Sequence, residues 1–266
     1  MDSKKIAILG AGNLGLSIAE GLLKAEVIKN ENLVLTEKRS SRREHLIEKE
    51  FNVTTDNNKA VSESEIVIIT VKPAQIFVLL NEIKKSLNKK HILVSCVTGI
   101  KSDQILNSVG KSIPLFRVMP NTGIAIQESM SCISSFNASE EQEKLIEDMF
   151  SQLGQVLFIQ EDLMAAATVM AGCGIAFALR FIRAAMQGGI EIGFSSESAQ
   201  TMAAQIAKGA ADLVISSGHH PEREIDKVTT PSGITISGLN EMEHFGFSSS
   251  LIKGMVTSFN KIKNGE

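Results

Sequence analysis

The sequence predicts two domains of different class: an α/β domain over residues 1–159, followed by an all-α domain over residues 160–266. Two observations support this division. In the first part, short β-branched runs alternate with polar helical stretches, as in a sheet whose strands are joined by helices. In the second part, charged residues become sparse and the helical patterns become long. A chain of 266 residues is long enough for two medium domains.

The strands of the first domain are recognised as short apolar runs that are separated by about 25 to 30 residues, room for a helical crossover. These runs are Ile6–Leu9, Leu33–Thr36, Ile66–Ile69, Ile92–Ser95 and Leu115–Val118. Because they are almost continuously apolar, we expect a parallel sheet covered on both faces. Two more strands, over residues 132–135 and 156–159, flank a predicted helix whose N-cap is Ser139.

A glycine-rich hexapeptide follows the first strand. Gly10-Ala11-Gly12-Asn13-Leu14-Gly15 has the pattern G-x-G-x-x-G and leads into an amphipathic helix from Asn13 to Lys24. In a Rossmann domain the first glycine allows the tight turn, the second lets the backbone approach a pyrophosphate, and the third permits close helix-to-strand packing. The motif, set between a strand and a helix, predicts dinucleotide binding. A purely structural glycine turn is the alternative.

The end of the second strand bears on the choice between NAD and NADP. Glu37 lies near the position where a carboxylate binds the 2′-hydroxyl of NAD, and a carboxylate there would repel a 2′-phosphate. The basic residues that follow favour a phosphate; they are Lys38, Arg39, Arg42 and Arg43. Together these residues slightly favour NADPH over NADH. Alternatively, the basic residues only form the solvated start of a helix and contact no cofactor.

The second domain is predicted to form a homodimer. Between Leu163 and Ser217 the chain has six charged residues, too few to coat two long helices of a monomer. A dimer interface is therefore favoured over a central core helix. The uncharged stretch over residues 163–179 is too short and too rich in Ala and Gly to span a bilayer convincingly, and we expect a buried helix there.

Composition excludes several function classes. The chain has no Tyr, so a phenol cannot serve as proton donor, and five His leave few groups that titrate near neutral pH. A net charge of −3 without a basic block argues against nucleic acid. Three widely spaced Cys predict reduced thiols, and with no signal peptide or membrane span predicted, we expect a cytoplasmic protein without a metal site.

Over nearly its whole length the sequence resembles the pyrroline-5-carboxylate reductase family. The matching segments occur in the family's order: Val71-Lys72-Pro73, Arg117-Val118-Met119-Pro120-Asn121-Thr122, Gly172-Cys173-Gly174-Ile175-Ala176-Phe177, Gly209-Ala210-Ala211, His220-Pro221 and Val228-Thr229-Thr230-Pro231-Ser232-Gly233-Ile234-Thr235. The resemblance implies a Rossmann domain, a helical domain that interlocks with that of a second copy, and rings such as decamers. It also implies NAD(P)H-dependent reduction of 1-pyrroline-5-carboxylate to L-proline, the last step of proline biosynthesis.

The resemblance also implies roles for individual residues. The pyrophosphate would be cradled by residues Gly10 to Leu14, which include Gly12 and Asn13. From the motif and the end of the second strand, Gly15, Thr36, Lys38 and Arg39 are also expected in the cofactor site. The ribose and nicotinamide would be lined by Val71, Lys72, Pro73, Val97 and Thr98. Met119 and Asn121 would border the substrate. The partner subunit would supply a substrate loop that contains Thr230, Gly233, Ile234 and Thr235.

The substrate loop also has a reading from its residues alone. Pro231-Ser232-Gly233 precedes a predicted helix from Ile234 to His244, whose free N–H groups can hold an anion such as a carboxylate. An ordinary Thr or Ser cap is the alternative. The sequence departs from the family at Ile175, where a proline is usual, at Arg183, usually acidic, at Ser232, usually glycine, and at Ile234, usually Thr or Ala.

The scarcity of acids fits imine reduction, because a cyclic imine can bind already protonated and then only accepts hydride at carbon. Thr235 and Thr230 are the catalytic candidates, with Thr235 at the ring nitrogen. Two alternatives remain: a divergent imine reductase with another cyclic substrate, and a non-catalytic NAD(P)H sensor. A β-hydroxyacid dehydrogenase is disfavoured because no Lys occurs over residues 160–207.

Overall fold

A computed structural model describes residues 4–264 of the chain. Its strands are β1 (Ile6–Leu9), β2 (Leu33–Thr36), β3 (Val53–Thr54), β4 (Ile66–Ile69), β5 (Ile92–Ser95), β6 (Leu115–Met119), β7 (Ser129–Phe136) and β8 (Gly154–Phe158). Its α-helices are α1 (Asn13–Lys24), α2 (Ser40–Glu48), α3 (Asn57–Ser62), α4 (Ile76–Ile83), α5 (Ser102–Val109), α6 (Glu140–Ser151), α7 (Met164–Ala167), α8 (Gly174–Glu191), α9 (Ser196–Ser217), α10 (Pro221–Lys227), α11 (Ile234–His244) and α12 (Phe247–Lys263).

The strands form one sheet in the order β3-β2-β1-β4-β5-β6-β7-β8. Its first six strands have the Rossmann order and are parallel, β7 runs antiparallel to β6, and β8 runs parallel to β7. The predicted fold class, a Rossmann domain followed by a helical domain, is confirmed. Four strands have the predicted bounds, and the strand over residues 115–118 gains Met119.

The sheet is buried on both faces because its strands alternate their apolar side chains between two cores. Ile6 and Ile8 of β1 belong to the cluster that includes residues of α1, α2 and α6. Ala7 and Leu9 belong to the other cluster, with residues of α3, α4 and α5. All four side chains are at most 1% exposed. The helices on both faces thus hold the strand ends, and the loops that follow them, at fixed positions.

Two compact units divide the described chain between Cys173 and Gly174, with residues 261–264 grouped with the first unit. The domain boundary predicted at residue 160 stays a prediction. Cys96, Cys132 and Cys173 are free thiols. Cys96 is buried, which raises the pKa of its thiol to about 12.

The second unit has almost no core of its own within one chain. Over residues 174–260 only Ala199 and Ala203 are buried. Helices α8 and α9 pack against each other closely enough that a Cβ on Gly189 would lie 3.0 Å from the Cβ of Ala199. Large apolar side chains of this unit are exposed: Leu179, Phe181, Ile190, Ile192, Phe194, Met202, Ile206, Leu213, Ile215, Val228, Ile234, Met242, Phe245, Phe247, Leu251, Ile252 and Val256.

The buried helix predicted over residues 163–179 is partly wrong. Met164, Ala167, Thr168, Val169 and Ala171 are buried, but α8, which begins at Gly174, contains no buried residue. The helical run Glu161–Glu191 is long and apolar enough to cross a membrane by length and composition, and 22% of its most apolar window is buried. Like the rest of the second unit, α8 has apolar side chains that none of residues 4–264 covers.

Candidate active site

The glycine loop after β1 is fixed by the ends of two neighbouring strands. The backbone N–H groups of Gly10 and Ala11 donate to the carbonyl of Thr36 at 3.2 and 2.9 Å. On the other side, the Thr70 hydroxyl donates to the carbonyl of Gly10 at 2.7 Å. Gly10 has φ +101°, in the region that favours glycine. The loop is therefore held between the ends of β2 and β4.

The three motif glycines have different surroundings. A Cβ on Gly10 would lie 2.8 Å from Cγ1 of Val71, and one on Gly15 would lie 2.4 Å from the carbonyl oxygen of Gly10. A Cβ on Gly12 would meet no atom of the described residues within 4 Å. Gly10 and Gly15 are thus required by packing, whereas Gly12 leaves open space in front of its backbone.

The start of α1 is suited to an anion. Gly12 is its N-cap, and among the described residues no side chain caps the helix and no acidic residue occupies its first turn. The N-terminal N–H groups and the positive end of the helix dipole are therefore available to a phosphate.

A cavity of about 400 Å³ opens at the carboxyl ends of β1, β2 and β4, where open α/β sheets bind their ligands. We call it the glycine-loop cavity; it is lined by Gly10, Gly12, Thr36, Glu37, Lys38, Arg39, Asn57, Thr70, Val71, Lys72, Ala74, Gln75, Val78, Leu79 and Glu82. It brings together seven of the predicted cofactor residues: Gly10, Gly12, Thr36, Lys38, Arg39, Val71 and Lys72.

The other predicted cofactor residues lie outside this lining. Asn13, Leu14 and Gly15 form the first turn of α1, and Pro73 starts the short 3₁₀ turn Pro73–Gln75. Val97 and Thr98 follow β5 at the same end of the sheet, two strands away from β1. Val97 is buried and Thr98 half-buried.

Sequence reasoning missed four polar residues of the cavity, Asn57, Thr70, Gln75 and Glu82. Thr70 directly follows β4, and its hydroxyl donates a hydrogen bond to the glycine loop. Its position at the end of a strand is a sequence signal that could have identified it. Asn57 and Glu82 lie on α3 and α4 and are joined by a hydrogen bond of 3.0 Å from Asn57 Nδ2 to Glu82 Oε1. Polar residues on helices follow no spacing rule that would point to a cavity.

Glu37 and Arg39 form an ion pair at the end of β2. Arg39 donates to Glu37 through its backbone N–H at 3.0 Å, its Nε at 3.1 Å and its Nη2 at 2.9 Å. Burial by itself would raise the pKa of the Glu37 carboxyl, but the hydrogen bonds and positive charge of Arg39 outweigh it and leave that pKa below its ordinary value. Both carboxylate oxygens are therefore charged and engaged by Arg39.

Met119 and Asn121 lie where the sheet contacts the start of the helical region. Asn121 Nδ2 donates to the carbonyl of Ala171 at 3.1 Å, and its Oδ1 accepts from Gly123 N at 2.8 Å. Met119 packs in a small core with Met164 and Ala171. Ala171 belongs to a π-helical turn, Thr168–Cys173, of a kind often found at functional sites.

The predicted substrate loop leads into α11. The N-cap of α11 is Gly233, no described side chain caps the helix, and its first turn contains no acidic residue. The Thr or Ser cap considered as an alternative is therefore absent from the described residues. Gly233 N donates to the carbonyl of Thr230 at 2.9 Å, so this N–H closes the turn and is not one of the free donors. Thr230 and Thr235 are exposed.

Two departures from the family's sequence have structural consequences in this loop. Ser232 adopts φ +58°, in the left-handed region that glycine occupies without strain. Ile234 is 93% exposed within the single chain. By contrast, Gly233 is required, because a Cβ there would lie 2.5 Å from the Thr230 hydroxyl oxygen.

Comparison with known proteins identifies the family to which this chain belongs. Residues 161–264 match the model for pyrroline-5-carboxylate reductase dimerisation, and residues 5–99 match that for coenzyme F420-dependent NADP oxidoreductases. Pyrroline-5-carboxylate reductase 2 of Dictyostelium discoideum is 43% identical over 98% of this chain and 92% of its own length. The chain belongs to the pyrroline-5-carboxylate reductase family.

Other members of the family are similar over different extents. Pyrroline-5-carboxylate reductase 1 of Dictyostelium discoideum is 46% identical over 96% of this chain, which spans 49% of that protein's length. A Plasmodium falciparum pyrroline carboxylate reductase crystallised with NADP bound matches at a TM-score of 0.90 and 27% identity, covering 99% and 98% of the two chains. These matches therefore cover 96–99% of this chain, including both the sheet and the helices that follow it.

Proposed function

We propose that this protein reduces 1-pyrroline-5-carboxylate to L-proline with NAD(P)H. The observation that carries the proposal is family membership over 98% of the chain. The open glycine loop beside the glycine-loop cavity supports it independently, because it is suited to a dinucleotide pyrophosphate.

The residues of the cavity fit a nicotinamide dinucleotide. The free space before Gly12 and the uncapped start of α1 suit the pyrophosphate, which Gly10, Asn13, Leu14 and Gly15 would also surround. Thr36, Lys38 and Arg39 would adjoin the adenosine ribose. The strand-end segments with Val71, Lys72, Pro73, Val97 and Thr98 would extend towards the nicotinamide. A bound reduced nicotinamide supplies the hydride.

The chain's own residues then need to position the imine and exclude water. We assign Met119 and Asn121 to the border of the substrate and the α11 loop, with Gly233, Ile234 and Thr235, to its carboxylate. The Thr235 hydroxyl would hold the ring nitrogen, with Thr230 beside it. A protonated imine already carries its nitrogen-bound proton, so after hydride addition at carbon the product amine requires no acid from the protein.

The ion pair at the end of β2 favours NADPH slightly over NADH. Because Arg39 engages both oxygens of Glu37, this carboxylate is less available to the 2′- and 3′-hydroxyls of a ribose. The side chains of Lys38 and Arg39 are 71% and 69% exposed and can turn towards a 2′-phosphate.

We further propose a cytoplasmic, interlocked homodimer whose partner subunit supplies the α11 loop, assembled into a larger ring such as a decamer. The exposed apolar faces of residues 174–260 support such an assembly. The dimerisation model's match from residue 161 supports the boundary at residue 160.

One assay tests the activity. Purified protein is mixed with pyrroline-5-carboxylate and either NADPH or NADH, and the loss of reduced-nicotinamide absorbance is followed. We expect turnover with both and a somewhat higher kcat/KM with NADPH. Tight cofactor binding without turnover would favour the sensor, and turnover only with another cyclic imine would favour the divergent reductase.

A further inference from the structure

The two basic residues that closely follow β2, Lys38 and Arg39, each form an ion pair with a carboxylate. Arg39 pairs with Glu37, two residues before it. Lys38 pairs with Glu82 of α4, with 3.3 Å between Lys38 Nζ and Glu82 Oε2. All four residues line the glycine-loop cavity. The charge at this end of the cavity therefore depends on a residue 44 positions further along the chain.

Glu82 is the fixed partner of its ion pair. Its Oε1 accepts a hydrogen bond of 3.0 Å from the side-chain amide of Asn57, a residue only 4% exposed at the start of α3. With one oxygen held by a buried amide, the other faces Lys38. The Glu82 side chain is 31% exposed and that of Lys38 is 71% exposed. Lys38 is thus the more exposed member of the pair and the one able to turn.

We propose that Glu82 is a specificity-determining residue that lowers the preference for NADPH over NADH by engaging Lys38. The inference rests on the proposed function, since it concerns the dinucleotide. A 2′-phosphate needs a cation, and Lys38 lies next to Glu37, which occupies the usual position of the ribose carboxylate. Glu82 competes with that phosphate for Lys38. NADH has only a hydroxyl at this position and does not need to displace Glu82.

The size of the effect follows from the exposure of the pair. Exposed ion pairs contribute about 0.2–1 kcal/mol, which corresponds to at most about a five-fold change in a binding constant. Glu82 is therefore expected to reduce discrimination between the two cofactors and not to abolish binding of either.

The test is a pair of binding titrations on the Glu82→Gln variant. Glutamine keeps an acceptor for Asn57 and removes the charge that holds Lys38. The fluorescence of the reduced nicotinamide, excited at a wavelength that the protein does not absorb, reports binding. We expect NADPH to bind about two- to five-fold more tightly than to wild type, with NADH unchanged. An unchanged ratio of the two dissociation constants would overturn the inference.

Two further variants make the result specific. In a Lys38→Met background, Glu82→Gln should no longer alter the NADPH affinity; an equal gain in that background would refute the role of Lys38. Glu65→Gln is the matched control, since Glu65 pairs with Lys4 at 2.7 Å and precedes β4 at the opposite end from the cavity. If the wild type binds neither cofactor, the proposed function fails instead.

Discussion

At the scale of single residues, the glycines of the motif have different roles: one is required by packing and another leaves space for a ligand. Gly15 has no room for a side chain because the Gly10 carbonyl would lie 2.4 Å from its Cβ, whereas a Cβ on Gly12 would have no described atom within 4 Å. The same substitution should therefore destabilise the fold at Gly15 and leave its stability nearly unchanged at Gly12. The motif already predicts different roles for these two glycines, and the coordinates add the distances that separate packing from ligand access.

We expect Gly15→Ala to lower the free energy of unfolding by about 1–3 kcal/mol through overpacking. Gly12→Ala should leave stability within about 0.5 kcal/mol but weaken NADPH binding at least ten-fold, because its methyl group fills the space needed by a pyrophosphate. Urea denaturation and nicotinamide fluorescence measure the two properties. Unimpaired NADPH binding by Gly12→Ala would contradict the assigned position of the pyrophosphate.

Thr235 permits a separate test of the substrate loop. We expect Thr235→Val to lower kcat/KM with pyrroline-5-carboxylate about ten-fold, the effect of losing one hydrogen bond of about 1.4 kcal/mol. NADPH affinity should stay unchanged. Thr229→Val is the control, since the Thr229 hydroxyl donates to the carbonyl of Ile225 at 2.8 Å within its own chain. Wild-type kinetics for Thr235→Val would remove Thr235 from the site.

At the scale of elements, one carboxylate joins the sheet to the start of the helical region. Glu161 Oε1 accepts from the N–H and hydroxyl of Ser102, at 2.8 and 2.7 Å, and from Arg117 Nη1 at 3.0 Å. Ser102 begins α5 and Arg117 is buried in β6. Glu161 thus connects three elements, and its loss would leave a buried guanidinium without its carboxylate.

This connection predicts a pH dependence of stability. Burial alone would raise the pKa of the Glu161 carboxyl, but hydrogen bonds from Ser102 and Arg117 hold that pKa below its ordinary value. A lowered folded-state pKa stabilises the fold above the unfolded pKa of about 4.3, and this contribution is lost as pH falls through the folded value. Glu161→Gln should therefore cost about 2 kcal/mol at pH 7 and progressively less below about pH 4.

Denaturant unfolding of wild type and Glu161→Gln across this pH range measures the effect. Glu65→Gln serves as control, because its pair with Lys4 is exposed and should contribute about 0–1 kcal/mol. A Glu161→Gln penalty of the same size at pH 3.5 and pH 7 would show that the ionised carboxylate does not stabilise the native state.

At this scale, some elements could be predicted from the sequence and others could not. Four apolar strands and the amphipathic helix α1 were predicted with their correct bounds. A strand buried on both faces is recognisable as a continuous apolar run, and a helix buried on one face by the spacing of its apolar residues. The two-residue strand Val53–Thr54 is too short to carry a pattern, and the antiparallel pairing of β6 with β7 depends on contacts between distant residues. Asn57 and Glu82 escaped prediction for the same reason: only the folded chain brings them to Lys38.

At the scale of the whole molecule, the helical unit requires a second chain. Its exposed apolar residues include a stripe along α9, where Met202, Ile206 and Leu213 are spaced to share one face. Ile206 is 64% exposed and Leu213 57% exposed. Such an apolar surface is stable in water when another protein surface covers it, in agreement with the match to the family's dimerisation model.

We expect the double substitution Ile206→Asp with Leu213→Asp to abolish dimer formation, because burying two unpaired carboxylates costs several kcal/mol. Light scattering after size exclusion reports the mass. The wild-type Tm should also rise with protein concentration, as for any fold stabilised by association. Gln205→Asp, at an exposed polar position of α9, is the control and should keep the wild-type mass. A dimeric double variant would place the interface elsewhere.

The near absence of buried residues over 174–260 has a consequence for the newly made chain. The Rossmann part is complete, with both of its cores, before the ribosome has finished the last helices. The finished chain then carries uncovered Leu, Ile and Phe side chains until a second copy arrives. Maturation of this enzyme is therefore a second-order process, whose rate depends on the concentration of newly made copies of the chain.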